Sequence, residues 1–181
     1  MMAARAAGGL PMKAPTMAPA SLAGQVQQAW QADFELGNAA ENVFDALHCT
    51  LSARPYRDDE ALAQLHAAFV QEKAAAALLA GDLSGEVAAL LKTLEAGKCW
   101  RPWHFDLLLE MLRHQRQQLQ QLPTSWQALH SACTAVPGIA QLCDAYATRR
   151  AAAVQAEMKM VEAAHRLAVA FRFPPPSGGL Q

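Results

Sequence analysis

At 181 residues and a net charge of −1, the chain fits one domain with a substantial core, and no uncharged apolar run reaches the ~18 residues of a membrane span. Forty Ala and 23 Leu against eight Val and one Ile favour helix, because unbranched side chains lose little rotamer freedom there. The four cysteines, at 49, 99, 133 and 143, form no CxxC, so they read as buried thiols of an intracellular protein in a reducing compartment, cytoplasm or nucleus.

Residues 1–20 hold two cations, no acid, paired glycines and several prolines, the composition of a disordered leader. Organelle import stays an alternative there, since transit peptides also avoid acids. A first helix is expected from near Ser21 to near Ala53, ahead of Pro55. Its seam runs Val26, Trp30, Asp33, Gly37, Ala40, Phe44, Leu47, Leu51, apolar at both ends and small or polar in the middle. A bend or a close helix contact around Gly37 is the expectation. Asp58 and Asp59 mark the start of a second helix, where free amides and the helix dipole favour carboxylates. Its stripe is Leu62, Leu65, Phe69, Ala76, Leu79, Leu83. The "GDLSGE" at 81–86 is expected to interrupt or kink it, with Ser84 capping a short continuation that Gly97 closes in the left-handed conformation.

Pro102 suits the first turn of a third helix that stops at Pro123. "TSWQ" restarts a helix with Thr124 or Ser125 as cap, and "VPG" at 136–138 breaks it. A last helix is expected from about Ile139 to Phe173, followed by a flexible Pro/Gly tail over 174–181. No segment alternates with the two-residue period of a strand. The prediction is an all-α fold over 21–173: an antiparallel helical bundle of about four long, partly kinked helices with coiled-coil-like seams.

The densest chemistry is "KCWRPWHF" at 98–105. Cys99 and His104 could be metal or haem ligands, but zinc needs about four ligands at recognisable spacing. The favoured reading makes Trp100 and Trp103 a seal on the turn that touches a neighbouring helix or a partner. "HSAC" sets His130 and Cys133 on one helical face, where they could meet Cys143, Cys99 or His104 in space. His48 and Cys49, being adjacent, point about 100° apart. "EAAH", Glu162 to His165, matches half of a di-iron carboxylate site, which needs the motif twice and two further Glu. No nucleophile elbow, phosphate loop or dinucleotide fingerprint is present.

Residues 1–97 carry six cations and 11 acids, residues 98–181 nine and five. Antiparallel packing is expected to bring these opposite halves together as ion pairs, the alternative being that the basic half meets an acidic partner. Arg113, Arg116, Arg149, Arg150, Arg166 and Arg172 read as a dispersed solvated face rather than a nucleic-acid surface. The function expected is a non-catalytic interaction module without a cofactor: an adaptor, scaffold or chaperone-like subunit that packs its helices on a protein partner, a second copy of the chain included. Trp30, Trp100, Trp103 and Trp126 are the expected anchors. A metal- or haem-binding oxidoreductase-like bundle is the alternative, and nucleic-acid binding through the basic half a weaker one.

Overall fold

The computed structural model describes residues 19–98, 100–121 and 123–174. Among them 87% are helical and none is in a strand. The elements are α1 (Pro19–Leu51), a 3-10 turn (Tyr56–Asp58), α2 (Glu60–Glu95), α3 (Pro102–Leu119), α4 (Thr124–Thr134) and α5 (Ala140–Arg172). The expected leader and tail fall almost wholly outside the described residues, although Pro19 and Ala20 already belong to α1.

The helices form an antiparallel bundle of four rods, the fourth made of α3 and α4 in succession. α1 lies along α5, α3 packs on α5 and α2, α4 packs on α2 and α5, and α1 meets α2 only sparingly. Alanine sets the closest approach: Ala156, Ala163, Ala164 and Ala168 of α5 are buried, and small side chains let helix axes come together. Two separate cores result. One joins Leu22 and Val26 of α1 to Val87 and Leu90 of α2, Leu108 of α3 and Leu167 of α5. The other joins Phe44 and Leu47 of α1 to Phe69 of α2, Leu129 of α4 and Tyr146 of α5.

The corners follow the local chemistry. Asp59 caps α2, its side chain accepting from the Leu62 amide at 3.1 Å. Gly97 ends α2 at φ 64°, with the Lys98 amide donating to the Thr93 carbonyl at 3.0 Å. Pro102 opens α3. Gly138 stands at φ 95°, where a Cβ would lie 3.0 Å from the Tyr56 hydroxyl oxygen, so the break before α5 requires glycine.

Five expectations need correction. α2 runs uninterrupted through 81–86, because Leu83 and Val87 seat in the core while Gly81 and Gly85 face open space. Ser84 is no cap; its Oγ accepts from Trp30 Nε1 at 3.0 Å and ties α2 to α1. Gly37 marks no close contact, since a methyl group there would meet nothing within 4 Å. Neither Thr124 nor Ser125 caps α4: the Ser125 amide and hydroxyl instead donate to the Glu72 carboxylate of α2. Lastly, the halves do not pair as ions. Among the described residues each ion pair joins two residues of one half, as in Lys73–Glu41 and Arg172–Asp106, because the buried sides of α1 and α5 are apolar.

The stripe of α2 is buried at its ends only. From Gln71 to Leu79 every residue but Lys73 is exposed, including Ala76 and Leu79. This stretch lies opposite the α3–α4 break, where the contacts to other helices run through Glu72 to Ser125 and Lys73 to Glu41 while its alanines and leucines stay uncovered. By length and composition alone α2 is apolar enough to cross a membrane once two charges are tolerated, and 22% of its most apolar stretch is buried.

Candidate functional site

The corner after Gly97 is built by Pro102, which starts α3 and turns Trp103 and Leu107, one helical turn apart, to solvent. Trp103 is 57% exposed and Leu107 49%, whereas Phe105, Leu108 and Leu109 on the opposite side of α3 are buried. Trp100 folds back, its Nε1 donating to Thr93 Oγ1 at 3.0 Å, and packs on the neighbouring core. His104 lies between the two indoles, with ring centroids 3.6 Å from Trp103 and 5.4 Å from Trp100. Its Nδ1 is buried without a hydrogen-bond partner. Beside this face, Arg172 clamps Asp106 through two hydrogen bonds of 2.7 and 3.3 Å and holds the Asp106 carboxyl below its usual range. The same guanidinium sits 4.9 Å over the ring of Phe173, which is 61% exposed. Of the four tryptophans, Trp30 is half-buried between α1 and α2, and Trp126 is buried against Phe69 and Tyr146. Only Trp103 is left to solvent.

The thiols and imidazoles do not converge. Cys133 and Cys143 are buried together, and hydrogen bonding between them lowers the Cys133 thiol and raises that of Cys143. His130 instead reaches Asp144 at 3.2 Å on the surface, and His104 belongs to the other end of the bundle. Cys49 is exposed, not the buried thiol expected, because it sits on the outer side of α1, and Cys99 lies outside the described residues. Among those, no three His, Cys, Asp or Glu side chains gather as metal ligands. His48 turns from Cys49 to His66, with Nδ1 and Nε2 3.0 Å apart, and burial followed by His48 lowers the His66 pKa.

Glu162 and His165 do share a face, but it is a basic one. They line a cavity of about 190 Å³ with Arg113, Arg116 and Arg166. Burial, then Arg113 and Arg116, holds His165 below its ordinary value. Three guanidiniums repel a cation, so the half di-iron motif stands in surroundings hostile to a metal. The cations read from sequence as dispersed are partly gathered here by the packing of α3 on α5.

A larger cavity, about 550 Å³, occupies the waist between the two cores. Its walls are alanines and Leu79 of α2, with Leu119 and Val154. Asp33 of α1 and Glu157 of α5 both line it. Burial, with a further push from Glu157, raises the Asp33 carboxyl to about 6. Burial raises Glu157 as well, opposed by Gln115 of α3, whose Nε2 donates to Glu157 Oε1 at 2.6 Å. Asp33 was legible as a polar break in the α1 seam. Glu157 was missed, although a charge on the inward side of α5 between Val154 and Val161 signals it.

Comparisons with protein-family models, curated proteins and solved structures find no match, so function is read from the chain's own geometry.

Proposed function

We propose that the protein is a non-catalytic helical interaction module, an adaptor, scaffold or chaperone-like subunit, that docks a helix of a protein partner on the outer face of α3. The observation carrying this reading is the solvent exposure of Trp103 and Leu107 on a helix whose other apolar face is already buried. An i, i+4 pair makes a ridge that fits the groove of an incoming amphipathic helix. Tryptophan is the side chain most often decisive in such contacts, and Phe173 extends the apolar area past the Asp106–Arg172 clamp. The proposal includes a reducing compartment, cytoplasm or nucleus, in keeping with free Cys49, Cys133 and Cys143.

The experiment is affinity capture of the full chain beside Trp103→Ala/Leu107→Ala, with sedimentation of both. A stoichiometric complex that the double variant loses, at unchanged thermal stability, is the expected result. A self-association lost in the same way would identify the partner as a second copy. A chain that stays monomeric and captures nothing overturns the reading, as does flotation on liposomes through α2 with no protein bound.

A further inference from the structure

We propose that the waist cavity binds a small organic amine, its apolar body against the alanine and leucine wall of α2 and its ammonium between the carboxyls of Asp33 and Glu157. At about 550 Å³ the cavity falls within the range of roughly 300–1,000 Å³ typical of small-molecule sites. Such sites combine apolar walls with a few convergent polar groups, and here Asp33, Glu157 and Gln115 are the polar groups that meet.

The charges around the cavity specify the sign of the ligand. Glu41 is paired with Lys73 at 2.5 Å, and Glu72 accepts from Ser125. Arg150, the remaining cation of the lining, sits seven residues from Glu157 on α5, about 10 Å along the axis, at the Tyr146 end. Gln115 gives Glu157 one neutral donor. Asp33 has neither a hydrogen bond nor an ion pair from any described residue, and its nearest charged influence is another carboxylate. Two acids withdrawn from water and facing each other resist ionisation. An ammonium between them offsets both the lost hydration and the mutual repulsion, so the pair is complete only with a cation present. A hard metal ion would want six or more oxygens, and among the described residues no three acidic, His or Cys side chains gather as ligands. Access is through the slot between α1 and α2, where the helices scarcely touch and Leu79 of the lining is exposed.

The test is calorimetric titration of the full chain with 4-phenylbutylamine, 4-phenylbutanol and 4-phenylbutyrate at pH 6 and pH 8. The amine is expected to bind at least tenfold more tightly than the alcohol or the acid. Asp33→Asn and Glu157→Gln should each weaken it at least tenfold. At pH 6, but not at pH 8, binding should release protons from the carboxyl pair, seen as a heat that changes with the buffer's ionisation enthalpy. Leu79→Trp fills the opposite wall at a half-exposed position, and should block the amine without altering the acids. Equal binding of alcohol and amine overturns the proposal, as does amine binding that survives Asp33→Asn or Leu79→Trp, or no binding of any probe.

Discussion

Asp33 enters the fold as a half-buried carboxyl without a counter-charge, and this couples its titration to stability. Its folded pKa, about 6, lies above the ordinary 3.8, so between those values the native state holds more protons than the unfolded chain. Stability therefore falls as pH climbs through that interval, and the penalty is complete above it. Asp33→Asn is expected to raise the melting temperature by several degrees at pH 8 and by little at pH 4, measured by circular dichroism in both buffers. His66 acts in the opposite sense. Its folded pKa is depressed, so stability is present above about 6.5 and is lost as pH falls below that value. The His48–His66 contact also needs one ring nitrogen free to accept, which double protonation removes. His66→Gln should flatten the acid limb of the stability profile below pH 6.5. An unchanged limb in that variant would place the loss elsewhere.

Along single elements, burial rather than residue type decides what a side chain contributes. Leu83 and Leu78 lie on the same helix five residues apart, one 2% and the other 73% exposed. Leu83→Ala should cost about 3 kcal/mol, through lost transfer energy and an unfilled space, while Leu78→Ala stays within about 0.5 kcal/mol. Urea denaturation of the two variants checks the contrast. For α4, an 11-residue helix between Pro123 and Gly138, the N-terminal support comes from another element. Glu72→Ala removes the acceptor of both the Ser125 amide and hydroxyl, with an expected loss of about 1 kcal/mol. If Glu72→Ala leaves stability unchanged while Ser125→Ala lowers it, a local cap would replace the one from α2.

As a whole, the molecule is two cores joined by an open waist. Helical hydrogen bonds in α2 continue through 71–79, yet little apolar packing covers them, so amide exchange there should be fast while 83–91 and 105–112 exchange slowly. Uniform slow exchange along α2 in the free chain would mean that the waist is closed in solution. The sequence by itself determined the all-α fold, the corners at Asp59, Gly97, Pro102 and Gly138, and the apolar ends of the α1 seam. These depend on propensity, capping and spacing, which act within a few residues. It also singled out the 98–105 corner and the polar break at Asp33. What only the tertiary structure decided is which of these features meet. Packing leaves Trp103 in solvent and encloses Trp126, sets Glu157 opposite Asp33 across 124 positions, gathers Arg113, Arg116 and Arg166 around a lone Glu–His pair, and keeps α2 helical across two glycines. Each outcome depends on the axial stagger and facing of distant helices, and a repeat rich in alanine fixes neither, because a small side chain fits against its neighbour in many registers.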